Sequence, residues 1–218
     1  MKRSSGIAGR TDLHALAFTV VLCLVASPPP HPNPSPPSAM AAPAAASPII
    51  RVSEELYDIR GSTAQELSLE MFRLGPSGEE GRRSSGYTAW NIDWRFRPES
   101  RGSACMASLV EVQADIVITL PRWNPPPDAP RELRSQWDTY LAALRAHEEG
   151  HRDLAVAAAR QVHARISGFL TASCQDFERL VNREANLILD QLRADNLRYD
   201  EETGSGATQG AVWPPSRG

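Results

Sequence analysis

Two stretches of the chain alternate between apolar and polar residues. Thr88, Trp90, Ile92, Trp94 and Phe96 interleave with Ala89, Asn91, Asp93 and Arg95, and Val110, Val112, Ala114, Ile116, Ile118 and Leu120 repeat the pattern. A period of two puts every second side chain on one face, so each stretch predicts a strand with one buried side. Linked through Pro98 to Ala104, the two are expected to pair as a long antiparallel hairpin, with Pro121 marking its end. Upstream, Ile49 to Ile59 predicts one or two short strands ending at Gly61. Ser62 with Gln65 three residues later reads as a capping box for a helix that carries Leu67, Met71 and Leu74 on one face and stops at Gly75-Pro76.

Beyond a Pro-rich loop the period changes. A helix is predicted from near Pro130; at about 100° per residue, Trp137, Tyr140, Leu144, His147, His151, Leu154, Ala158 and Val162 share one stripe, while Asp138, Arg145, Glu149 and Asp153 point away. A second long helix is expected from about Ala172 to Arg198, and the Gly-, Thr- and Ser-rich tail from Glu201 reads as irregular. There is no internal repeat. The expected fold class is α+β and zincin-like: an antiparallel hairpin or sheet packed against the long histidine-bearing helix and a second, C-terminal helix.

Residues 147–151 read His-Glu-Glu-Gly-His. On a helix, His147 and His151 stand about one turn apart, so both imidazoles leave one face and can hold a single Zn2+ ion. Glu148 lies about 100° around from His147, better placed to exchange a proton with a water acidified by the metal than to ligate it. That chemistry is peptide hydrolysis with Glu148 as general base. Two imidazoles facing a core are costly to bury unless something satisfies both, which separates this pair from a lone core histidine.

The N-terminus speaks to compartment. Lys2, Arg3 and Arg10 precede an apolar run from Leu13 to Ala26 broken only by His14 and Thr19, the pattern of a secretory signal; cleavage after Ala26, cleavage at Ala39-Met-Ala41 and an uncleaved anchor all remain open. Leu22 before Cys23 argues against a lipid anchor. The Pro-, Ala- and Ser-rich run that follows cannot bury a core and is expected to be an extended spacer. The expected organisation is a signal peptide or N-terminal anchor at 1–26, a Pro/Ala-rich linker at 27–48, one domain at 49–213 and a tail at 214–218, in a protein that is secreted or periplasmic. A net charge of -3 and an isoelectric point near 6.0 provide no basic stripe for nucleic acid, and membrane contact is expected only through an uncleaved N-terminal segment. Cys105 and Cys174 are the cysteines of the domain; in an oxidising compartment they are expected to form a disulfide fastening the sheet to the last helix, and no Cys-x-x-Cys spacing marks them as metal ligands.

A catalytic zinc site needs a third protein ligand. His163, twelve residues past His151, would lie about 18 Å along a continuous helix and is read as a surface residue. Glu184 shares the expected buried face of the last helix with Phe177, Val181, Ile188 and Leu192; it is either that ligand or a carboxylate paired with an arginine such as Arg160 or Arg165.

Several tracts together resemble a known family: Gly86-Tyr-Thr-Ala-Trp90 with Trp94 after it, Cys105, Leu120-Pro-Arg-Trp123, Trp137-x-x-Tyr140 and Leu144-x-x-His-Glu-x-x-His151. They are similar to a bacterial family of unknown-function domains described as predicted secreted zinc-dependent proteases, over roughly Ile49 to Trp213. The resemblance implies His147 and His151 as zinc ligands and Glu148 as the base. The ending Tyr199-Asp200-x-x-Thr203-x-Ser205-Gly206 departs from it, since histidine commonly follows Thr-x there and Ser205 stands in its place. If that histidine is the third ligand, then Asp200, Glu201 or Glu184 substitutes, or the site is weak. The expected function is a zinc metallopeptidase acting on peptide or protein substrates; the alternatives are a catalytically impaired zinc-binding module and a metal-free cell-envelope scaffold.

Overall fold

The computed structural model describes residues 47–215, apart from 79, 80 and 82. The expected signal or anchor segment, the linker up to residue 46 and the last three residues of the tail lie outside these described residues. The elements in chain order are β1 (Ile49–Ile59), α1 (Ala64–Leu74), β2 (Tyr87–Arg101), β3 (Ala104–Trp123), α2 (Arg131–Ser167), β4 (Leu170–Thr171) and α3 (Phe177–Thr203), followed by a 3-10 turn at Ala207–Gln209.

The alternating stretches form the expected antiparallel hairpin, in register from Tyr87 opposite Thr119 to Arg101 opposite Ala104, with a register shift between Arg95 and Arg97. Its turn is tighter than expected. Only Gly102 and Ser103 separate the strands, and Gly102 takes the positive φ of 62° that such a turn demands. Pro98 therefore sits inside β2, an edge strand, where a missing N–H is tolerated. Nor does Pro121 end β3, which continues to Trp123. By that point β2 has ended and β3 pairs only with β1, which runs parallel to it from Ile49 opposite Gln113 to Ile59 opposite Trp123. The sheet order is β1-β3-β2, with β4 antiparallel to β3 at Cys105 and Met106.

The first helix is capped one residue later than Ser62-x-x-Gln65 suggests. Thr63 is the N-cap and accepts from the Glu66 N–H, while the Glu66 carboxylate accepts from the Ser62 N–H, so both orphan donors are satisfied by the Thr63/Glu66 pair. α3 is displaced at both ends. It begins at Phe177, after β4 and a short turn, and continues past Arg198 to Thr203, where Gly204 in the left-handed region stops it. The Glu201 region expected to be irregular is thus helical up to Thr203.

Both long helices cover one face of the sheet. Val112, Ala114 and Ile116 of β3 pack with Ala155, Ala158, Ala159, Val162 and Ile166 of α2 and with Phe177, Val181, Ala185, Leu189 and Leu192 of α3. The alanines let the helices approach closely. A second cluster joins Ile118, Leu120 and Trp123 to Ile59, Leu67 and Met71 and to Leu133, Trp137, Tyr140 and Leu144 at the other end of α2. His163 is buried rather than on the surface, because the covered stripe of α2 widens to adjacent pairs such as Val162 and His163.

Cys105 and Cys174 are joined by a disulfide across a sequence separation of 69, tying β3 to the turn before α3. Closing a loop of that length constrains the unfolded chain by about 4 kcal/mol in the chain-entropy account. Replacing both cysteines with alanine is therefore expected to lower unfolding free energy by about that amount. Urea denaturation reads it directly, and an unchanged midpoint would refute the stabilising role.

Candidate metal centre

Along α2 the buried stripe is apolar up to Leu144, polar at His147, Glu148 and His151, and apolar again from Ala155 except at His163. The three polar residues thus lie at the junction of the two apolar clusters, with only 4%, 4% and 9% of their surface exposed. α3 brings Asp200 to the same point. The Nε2 atoms of His147 and His151 are 3.3 Å apart, and Asp200 Oδ1 lies 3.2 Å from the first and 3.1 Å from the second.

The hydrogen-bond network fixes what these atoms are. Asn196 donates its amide nitrogen to the Leu192 carbonyl, so its oxygen faces His151 and accepts from Nδ1–H at 2.6 Å. Gln209 donates to the Tyr199 hydroxyl and turns its oxygen to His147 Nδ1 at 3.0 Å. With a proton on each Nδ1, both Nε2 atoms present lone pairs to Asp200 Oδ1. Three acceptors facing one another repel unless a cation sits among them. A tetrahedral zinc with ligand distances of about 2.0–2.1 Å places its ligand atoms about 3.3–3.4 Å apart, close to the triangle seen here. His147, His151 and Asp200 could therefore hold a metal ion, and outer amides orient both imidazoles as metal-binding histidines require.

Electrostatics separates the two carboxylates. Burial would raise Asp200, but in the protein alone a ring that takes up a proton at Nε2 donates it to this carboxylate, and such bonds from His147 and His151 with the charge they carry hold Asp200 well below the usual carboxylate range. Burial pulls His151 towards neutrality, yet its bonds to Asp200 and Asn196 prevail and raise it above its ordinary value. Glu148 moves the other way from Asp200: burial raises it, and the Thr88 hydroxyl and the two imidazoles offset only part of the rise.

Glu148 reaches the start of β2 and is not one of the three residues of the ligand triangle. Thr88 Oγ1 lies 2.8 Å from its Oε2 and 3.0 Å from its carbonyl oxygen. Gly86 makes the room, since a Cβ there would stand 2.6 Å from Glu148 Oε1. Tyr199 stacks on His147 with centroids 5.1 Å apart and meets His151 edge-on at 4.9 Å. That placement requires Gly150, whose Cβ would fall 2.1 Å from the Tyr199 hydroxyl oxygen.

Of the residues singled out in the sequence, the structure brings together His147, Glu148, His151 and Asp200. Glu184 is not among them; Arg183 at 3.1 Å and Arg165 at 3.8 Å pair with it instead. Glu201 is exposed on α3, and Ser205 is exposed in the turn that ends the helix, its N–H donating to the Asp200 carbonyl. Sequence reading singles out neither Asn196 nor Gln209, and Thr88, Gly86, Tyr199 and Gly150 enter it only as parts of strand, motif or family tracts, with no role at the site. A signal was available: Asn196, Tyr199, Asp200 and Thr203 continue the spacing of Val181, Ala185, Leu189 and Leu192, so a helix carried past Arg198 places all four on the face packed against α2.

Residues 54–207 match a protein family described as bacterial protein of unknown function (DUF922). No curated protein and no solved structure matches the chain.

Inside a helix, replacing glycine by alanine ordinarily gains about 1 kcal/mol. Gly150→Ala is expected instead to destabilise, with overpacking costing about 1–3 kcal/mol, because the added methyl meets the Tyr199 ring. In a Tyr199→Ala background the same change should turn stabilising. Thermal unfolding of the four proteins completes the cycle, and a wild-type background in which Gly150→Ala raises Tm would contradict the packing.

Proposed function

The chain belongs to the DUF922 family of bacterial proteins of unknown function, and we propose that it is a zinc-dependent metallopeptidase of the cell envelope, zincin-like in its use of one helix for two ligands and a base. The observation that carries the reading is the triangle of His147 Nε2, His151 Nε2 and Asp200 Oδ1, with edges of 3.1–3.3 Å and both imidazoles oriented from outside. Zinc held by these three residues supplies Lewis acidity, acidifying water and polarising a carbonyl.

The chain's own residues supply the rest. Glu148, raised by burial and standing outside the triangle, takes a proton from the attacking water and returns it to the leaving amine. Thr88 holds the Glu148 carboxylate by its Oε2. β2 has β3 as its strand partner among the described residues, so its outer edge, next to Glu148, offers N–H and C=O groups to an extended peptide by strand addition. Asp200 takes the third position, which Ser205 leaves without a histidine, and this favours an active site over an impaired one. Export is supported by the charged and apolar N-terminal sequence and by the Cys105–Cys174 disulfide.

The purified protein is expected to carry one zinc per chain by elemental analysis, and His147→Ala, His151→Ala and Asp200→Ala should each lose it. Glu148→Gln should keep zinc and fold while hydrolysis of an unfolded protein substrate falls by about a hundredfold or more. Absence of stoichiometric metal from the wild-type protein would sink the reading. Stoichiometric zinc without cleavage of any peptide in a broad library would leave a zinc-binding module and remove the peptidase.

A further inference from the structure

The edge of the sheet opposite β2 is formed by β1. Its strand partner among the described residues is β3, and all of its 11 residues but Ile50, Tyr57 and Ile59 are exposed. Val52 and Leu56 stand beside Ile116 and Leu120 and face the helix side of the sheet, yet are 48% and 43% exposed. Ile49 is also exposed. A strand of this length without proline, lysine or bulge lacks three of the devices that protect an open edge, and its charged side chains are the protection it has. Its charges are arranged unevenly. Arg51, Glu54 and Asp58 have partners within the chain in Asp115, Arg145 and Arg122.

We propose that β1 pairs antiparallel with β1 of a second copy of this chain, on a two-fold axis through Ser53, giving one continuous sheet ordered β2-β3-β1-β1-β3-β2. In that register Arg51 faces Glu55 of the second copy, Ile50 faces Leu56 and Ile49 faces Tyr57, and the two-fold repeats each pair. Opposite-charge and apolar cross-strand pairs stabilise a ladder, whereas like charges directly opposite destabilise it. Neighbouring placements of the axis lose this complementarity. On Glu54 or Glu55 it sets a glutamate against itself, and on Val52 it sets Arg51 against Ser53 and forgoes the ion pairs. The register through Ser53 avoids such direct oppositions and sets exposed Ile49 and Leu56 against half-buried Tyr57 and Ile50, with Val52 opposite Glu54.

Sedimentation equilibrium of the full chain tests the pairing. The wild-type protein is expected to dimerise, and Arg51→Glu or Glu55→Arg alone should weaken the dimer at least about tenfold, because each converts two attractive pairs into two repulsive ones. The double variant Arg51→Glu/Glu55→Arg should recover it. An equimolar mixture of the two single variants should form heterodimers, since each then presents the charge the other needs. Circular dichroism checks that the variants fold, and both positions are exposed. A wild-type protein monomeric to its solubility limit would overturn the proposal. So would a dimer indifferent to the single reversals, including one held by the N-terminal apolar run, or a loss that neither the double variant nor the mixture restores.

Discussion

Three lone pairs directed at one point inside a protein are the constraint to which this structure answers. His147, His151 and Asp200 bring them within 3.3 Å of one another at the junction of two apolar clusters, where the imidazoles are buried and water reaches the site mainly at Asp200, whose side chain is 40% exposed. A positive charge among them converts repulsion into attraction. The raised His151 and lowered Asp200 express the same demand, because a shared proton partly meets it in the protein alone. A divalent cation meets it more fully.

Much of the architecture serves to hold that point. The 37-residue α2 spans both apolar clusters, so its polar middle is clamped from either side and cannot rotate without exposing one of them. α3 is tied at its start by the disulfide and settles onto α2 through small residues, which carries Asn196, Tyr199 and Asp200 to the histidines at its far end. The chain then turns back. Gln209 reaches His147, and Trp213 closes the segment by packing on Trp137 and Tyr140 and donating to the Ala64 carbonyl.

Two carboxylates in one site have been driven apart. Asp200 is stabilised as an anion by the imidazoles it contacts, as a ligand must be, whereas Glu148 is pushed towards holding a proton by burial against β2. Such divergence is the usual mark of two carboxylates with different tasks. It assigns the proposed ligand and the proposed base by environment, not by motif alone. At the edges of the sheet, β2 sets Thr88 against Glu148 and β1 forms the opposite edge.

Periodicity by itself determined the hairpin, the long α2 and the shared face of His147 and His151, because alternation and helical spacing are local properties that burial of one face enforces. It also marked Glu148 as lying off the ligand direction. Other features depended on contacts distant in sequence. Nothing in the order of residues near Ile49 says that β1 runs parallel to β3, and Pro121 reads as a strand end until the structure shows that β2 has already finished beside it. Glu184 and Asp200 are both carboxylates on the last helix; only the way α3 crosses α2 gives one an arginine and the other two imidazoles. Gly86 and Gly150 show their reason only where Glu148 and Tyr199 occupy the space a Cβ would take. Metal-ligand spacing within one turn of helix is written in the chain, whereas a third ligand and the amides that orient the first two are chosen by packing, which joins residues about fifty positions apart.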